Sequence, residues 1–279
     1  MQDRYAGDVG DYIKLALLRS VGAGHKLGLA WFKTPNSDNN DGRHTTYLDE
    51  GRAGTWSSLD PDLYAQLKAL VETDSRSTHA LEGLLGMDVL FHSVSLNSLP
   101  RSEWFKGLLE VFRHRDLVFV DPDNGIQLPR QQASGPVSPK HVTLDEIRLL
   151  YRGGRPVIIY HHQTRFKGGH IAEIEHVGAQ LKQAGLGCIL ALRARSWSPR
   201  VFFIVGATRE LWARAEVFAD RWSPHLTFHQ IEGPPDQIGL PPSSPYSERA
   251  ELAQEAFALR VVAGEYNHLL PNLNFRMRD

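Results

Sequence analysis

Short continuous apolar runs alternate along this chain with longer stretches in which apolar residues recur every three or four positions. The first pattern predicts buried strands and the second amphipathic helices. Ile13, Leu15, Leu17 and Leu18 mark a buried helix over Asp11–Val21 that starts near Asp8. Leu27–Phe32 reads as a first strand, and Lys33–Arg43 as a polar loop. Asp60–Val71 is a helix with Asp60 as N-cap and Pro61 at its first position. Asp88–Val94 is a strand. Ser102–Arg113 is a helix capped by Ser102, with a stripe of Trp104, Leu108, Leu109 and Phe112. Leu117–Val120 reads as a strand buried on both faces. A helix over Thr143–Tyr151, a strand over Pro156–Tyr160 and a helix over Ile171–Ala184 follow, the last closed by Gly185 at C′. Cys188–Leu192 and Val201–Val205 form a hairpin. Thr208–Trp222 is a helix and Leu226–Ile231 a short strand. Strand and helix in steps of about 30 residues predict βαβ units. The expected fold is a Rossmann-like α/β domain over residues 1–232, with a mostly parallel sheet, helices on both faces and a C-terminal antiparallel hairpin. Residues 233–279, a Pro/Ser/Gly-rich connector and a helix, are expected to form a C-terminal extension packed on the same domain.

Composition narrows the function classes. The 279 residues carry a net charge of −1, so contact with nucleic acid would need a local basic patch. One cysteine, Cys188, excludes an intrachain disulfide and a cysteine-based zinc site; between Gly187 and Ile189 it reads as a core residue. With neither a signal peptide nor a long apolar run, a cytoplasmic protein without a membrane segment is expected.

Three polar clusters follow expected strands. They are Asn36–His44 (containing Asn39, Asn40 and Asp41), Asp121-Pro122-Asp123-Asn124-Gly125, and Tyr160–Arg165 with its His161-His162 pair. Parallel strands end on one edge of a sheet, so the three should converge on one crevice. Pro122 favours leaving the ladder after Asp121, and Gly125 permits close backbone approach. Asp8, Asp11 and Lys14 lie at i, i+3 and i+6 across neighbouring turns of the first helix. That spacing suits either a cap with an ion pair or a helix end closing over a ligand.

In order, these segments resemble Rossmann-class adenine-N6 methyltransferases, in particular the family that methylates an adenine of large-subunit ribosomal RNA. Gly7-Asp8-Val9-Gly10-Asp11-Tyr12-Ile13-Lys14 looks like that family's helix start. Asp121-Pro122-Asp123-Asn124 stands where it has its catalytic Asp-Pro-Pro-Tyr, and Arg195–Arg200 resembles the turn of its late hairpin. Arg-Tyr-x-Gly-Asp-Val-x-Asp, Asn-Asn-Asp-Gly and Asp-Pro-Asp-Asn-Gly also resemble motifs of a bacterial family of uncharacterised activity. The methyltransferase resemblance implies S-adenosylmethionine as cofactor, held by Asp8, Asp11, Lys14, Asn36, Asn39, Asn40 and Asp41. It implies catalytic roles for Asp121, Pro122, Asp123 and Asn124, with Asp121 holding a substrate amine. A nucleic acid or nucleotide would meet His161, Arg165, Lys167, Arg193, Arg195 and Trp197, with Arg200 adding to the basic rim. Two departures stand out. No glycine-rich loop follows the first strand, and Asn124 replaces the aromatic residue that stacks on a flipped adenine.

The residues also allow a metal-dependent nuclease or phosphohydrolase, with Asp121, Asp123 and His161 on a divalent ion and Lys140 or Lys167 stabilising phosphate charge. Neighbouring strand residues point to opposite faces, so at most one of His161 and His162 can join such a site. No familiar metal-ligand spacing occurs. A non-catalytic nucleotide-binding or interaction protein, with a protein partner or as a homodimer, fits the same fold. Trp197, between two serines and near Arg195, either stacks on a base or folds back onto the protein.

Overall fold

The computed structural model describes residues 1–36, 44–86, 88–128 and 137–233. The chain divides into a unit over Met1–Gly239 and a second over Leu240–Asp279; the second, and with it the expected C-terminal extension beyond Gly233, lies outside the described residues.

Eight helices and nine strands are described, in the order α1 (Val9–Val21), β1 (Leu27–Trp31), α2 (Glu50–Trp56), α3 (Pro61–Glu72), α4 (Thr78–Glu82), β2 (Val89–His92), α5 (Arg101–Val111), β3 (Leu117–Asp121), β4 (Gly125–Gln127), β5 (His141–Thr143), α6 (Leu144–Leu150), β6 (Val157–His162), α7 (Gly169–Gln183), β7 (Leu190–Ala194), β8 (Arg200–Val205), α8 (Arg209–Arg221) and β9 (Leu226–Gln230). Local chemistry sets many of the boundaries. Asp8, Asp60 and Thr208 each accept a backbone N–H at the start of α1, α3 and α8. Thr143 and Glu146 form a capping box on α6. Gly185, at φ +80°, ends α7 in a Schellman motif, with Leu186 N–H on Leu181 O and Gly185 N–H on Lys182 O. Helix α5 begins at Arg101 after Pro100, one residue before the expected Ser102 start.

The main sheet has the order β2-β1-β3-β6-β8-β7-β9. Strands β2, β1, β3 and β6 are parallel. Strand β8 runs antiparallel to both β6 and β7, and β9 antiparallel to β7. The Rossmann-like α/β fold and the late hairpin are therefore present, and two strands, β8 and β9, run against the parallel core. Strand β9 is the second, because α8 brings the chain back beside β7. A separate parallel pair, β4 with β5, had no sequence signal: three residues are too few to show alternation.

Pleat parity divides the core. Leu29, Trp31, Leu117, Phe119, Ile158, Phe202 and Ile204 face α1, α3 and α8. Val118, Val120, Val157, Ile159, Val201 and Phe203 face α5, α6 and α7. The sheet is thus buried on both faces, which is why β1, β3 and β8 read as unbroken apolar runs. Strands β1, β3 and β6 end on one edge, beside the first turn of α1. No described helix is long and apolar enough to cross a membrane.

Candidate functional site

At that edge lies a cleft of about 240 Å³, lined among others by Asp8, Asp11, Lys14, Asp121, Asp123 and Arg200. Its floor is a buried charge triad. Lys14 reaches from the second turn of α1 to the end of β3, placing Nζ 2.9 Å from Asp11 Oδ1 and 2.8 Å from Asp121 Oδ2. The ammonium also sits 5.4 Å from the ring of Trp31 and 5.5 Å from that of Tyr160, a favourable position over two aromatic faces. Asp11 Oδ2 accepts the Gly7 N–H at 3.1 Å. Burial would lower the Lys14 pKa, but Asp11 and Asp121 outweigh it and hold the lysine charged, above its usual value. Burial dominates at Asp11, pushing its carboxyl up to about 6 against the opposing pull of Lys14.

Asp121 is 3% exposed. Its Oδ2 is fixed by Lys14, while Oδ1 has no hydrogen-bond partner among the described residues. Pro122 follows as the strand ends. Asp123 is paired with the Met1 α-amino group and stands 3.9 Å from Lys140, with its buried Oδ2 lacking a hydrogen bond. Asn124 lines the cleft, and its N–H donates to Lys140 O at 2.8 Å. The small β4–β5 sheet therefore returns Lys140 to the Asp-Pro-Asp-Asn turn. Gly125 is required there. Its φ is +99°, and a Cβ would lie 2.5 Å from His161 Nδ1, a close approach that only glycine permits.

The histidine pair divides as strand parity demands, but the expected member is the wrong one. Tyr160 and His162 share the cleft face and line it, whereas His161 projects to the α7 side. There its Nδ1 accepts the Ile126 N–H at 3.1 Å and its Nε2 stands 3.7 Å from Glu173. His161 is a structural pin between β4, β6 and α7. Glu173 in turn accepts the Thr164 N–H and hydroxyl, the latter at 2.7 Å. Burial alone would raise its pKa, but those bonds and His161 bring it below the usual value.

Other expected contacts also lie away from the cleft. Arg193 is on the His161 side of the sheet, where it donates to Gln163 at 2.9 Å and contacts His170. Arg195 donates to Pro224 O at 2.7 Å. Arg165 and Lys167 are exposed on the β6–α7 connection. Trp197 folds back: its ring is 5.4 Å from Trp56, with Arg52 5.3 Å above it. Asn36 is exposed and its Oδ1 accepts the Arg4 N–H at 3.4 Å; it does not line the cleft. Asn39, Asn40 and Asp41 lie outside the described residues. Cys188 is half-buried, at φ +50° just before β7, and burial raises its thiol pKa, as befits a packing residue rather than a nucleophile.

The cleft thus gathers Asp8, Asp11, Lys14, Asp121, Asp123 and Asn124, together with His44, Tyr160 and His162 of the expected polar clusters, Arg200 of the expected basic rim and Lys140 of the hydrolase reading, and adds Ser198. Arg200 alone of the expected basic rim lines the cleft, and His162 had a signal in its strand-end position. Among the described residues, no three His, Cys, Asp or Glu side chains are grouped to hold a metal ion. No protein-family model and no curated protein matches this chain.

Proposed function

We propose that this protein is a methyltransferase-like enzyme of the cytoplasm that binds S-adenosylmethionine and modifies an amine of a nucleotide or nucleic acid at this cleft. The observation that carries the reading is the state of Asp121. Lys14 fixes one carboxylate oxygen at 2.8 Å, while the other has no hydrogen-bond partner among the described residues. Such an oxygen accepts an N–H of a substrate amine and turns the nitrogen lone pair toward the incoming methyl group. Positioning of this kind supplies most of the acceleration in a transfer that needs little proton chemistry. S-adenosylmethionine, when bound, supplies the electrophilic methyl group.

The donor set suits the cationic sulfonium and ammonium of that cofactor, since four carboxylates, Asp8, Asp11, Asp121 and Asp123, line the cleft. The described residues leave the nucleoside end open. Phe32–Asn36, after β1, contains no glycine, and about 240 Å³ is below the ~300 Å³ lower end of whole-ligand pockets. The late β7–β8 hairpin, a feature the resemblance implies, is in place. A metal-dependent hydrolase keeps Asp121 and Asp123 in the cleft but loses His161 as a ligand.

Calorimetric titration with S-adenosylmethionine and with its demethylated product tests the proposal. Heat from either is expected, and Asp121→Asn should retain binding while losing transfer. Silence in both titrations at high protein concentration refutes the methyltransferase reading. Metal-stimulated cleavage of nucleic acid, lost in Asp121→Ala, would replace it with the hydrolase.

A further inference from the structure

Among the described residues, Arg200 is a buried cation with two unsatisfied guanidinium nitrogens. It is 3% exposed, lines the cleft, and its Nε and Nη1 are buried without a hydrogen-bond acceptor. It makes no ion pair with any described carboxylate. A buried guanidinium in that state is unfavourable unless an anion completes it. Asp8 Oδ1 lies on the same side of Gly10 as the guanidinium but closes no ion pair with it. Arg200 is paired with His162 across β6 and β8, so both project to the cleft face. Its Nη1 abuts Gly10 so closely that a Cβ there would overlap it. Gly10 occupies the first turn of α1, a helix of 13 residues. Among the described residues its N–H makes no hydrogen bond, whereas Val9 donates to His44 O and Asp11 to Asp8. Unpaired N–H groups and the positive end of a helix dipole attract anions. Lys140 lines the same cleft, its side chain 40% exposed.

We infer that Arg200, the Gly10 N–H and Lys140 form an oxyanion subsite that takes a phosphate group of a nucleotide or polynucleotide. Glycine at position 10 is the fit that lets the arginine lie against the helix end. The subsite rests on the cleft being the substrate site and assigns its anionic end. It leaves Asp121, on the floor, for the amine. The arrangement also lets a chain of net charge −1 hold a phosphate locally: the Arg200 cation is buried, where water screens it least.

The test compares adenosine monophosphate, adenosine and inorganic phosphate as probes, by calorimetry on the full chain. Wild type should bind the monophosphate at least about tenfold more tightly than adenosine. Arg200→Gln should erase that difference while leaving adenosine unchanged. Arg200→Lys should keep part of it, and near-ultraviolet circular dichroism checks that both variants are folded. Gly10→Ala, which pushes the guanidinium aside without removing it, should weaken phosphate binding as well. Equal affinity of wild type for monophosphate and adenosine overturns the subsite. So does a result in which Arg200→Gln affects only the demethylated cofactor, since the anion would then be its carboxylate. Monophosphate binding that depends on Arg200, without any response to S-adenosylmethionine, upholds the subsite and removes the methyltransferase reading.

Discussion

Replacing Lys14 by methionine keeps the apolar length of the side chain and removes one charge from between two buried carboxylates. At an effective dielectric of about 20, an ammonium 2.8 Å from Asp121 and 2.9 Å from Asp11 gains roughly 6 kcal/mol from each. Much of that offsets the cost of desolvating all three groups. The net loss on breaking a buried pair is nearer 3–5 kcal/mol, a large fraction of a typical stability of about 5–15 kcal/mol. Two consequences follow for Lys14→Met. Its urea unfolding, followed by tryptophan fluorescence, should show a loss of about 3–5 kcal/mol at pH 7.5. The loss should also shrink at pH 5.5. Asp11 already titrates near 6 in the folded protein, against about 3.9 unfolded. The folded state therefore binds more protons between those values, and stability falls as pH rises through them. Without Lys14 this window extends upward, so acidification relieves the repulsion. Converting Asp11 and Asp121 to asparagine as well should recover most of the loss. A Lys14→Met deficit under about 1 kcal/mol, or one equal at pH 7.5 and 5.5, would refute the reasoning.

Three further outcomes can be checked by the same unfolding measurements. Glu173→Gln should cost about 1.5–3 kcal/mol at neutral pH through its hydrogen bonds to Thr164. Because the folded pKa of Glu173 is depressed, the difference from wild type should narrow as pH falls below about 4.3 toward that lower value. Gly125→Ala should lower stability by about 1–3 kcal/mol through backbone strain alone, with further loss as the new Cβ displaces His161; an unchanged melting temperature would contradict the assigned φ. Thr143→Ala should cost about 1 kcal/mol by removing the capping box, without altering ligand binding at the cleft.

Much of the architecture is legible in the sequence, because buried parallel strands and capped helices leave strong local patterns. Leu117–Val120 announces a central strand, Asp60-Pro61 a helix start, and Gly185 a helix stop. The convergence of strand ends follows from parallel order alone. Choosing between His161 and His162 required the pleat phase of β6 relative to β3, which depends on register between segments about 40 residues apart. Choosing Lys140 over Lys167 was equally out of reach, because the approach of Lys140 depends on the three-residue strands β4 and β5. Arg193 and Arg195 satisfied the sequence pattern of a basic rim, yet the sheet face of one and the Pro224 carbonyl beside the other take them away from the cleft. Charge type is written in the chain; facing direction is a tertiary property.

The split histidine pair gives the molecule two adjacent reporters of different events. His161, accepting the Ile126 N–H at Nδ1, carries its proton on Nε2 when neutral. One peptide bond away, His162 looks into the cleft. In a long-range nitrogen–proton NMR spectrum, a ligand entering the cleft should move the His162 resonances and spare those of His161. Loosening of the β4 strand should do the reverse. Occupancy of the site and integrity of its scaffold can thus be read separately, in one sample, from two consecutive residues.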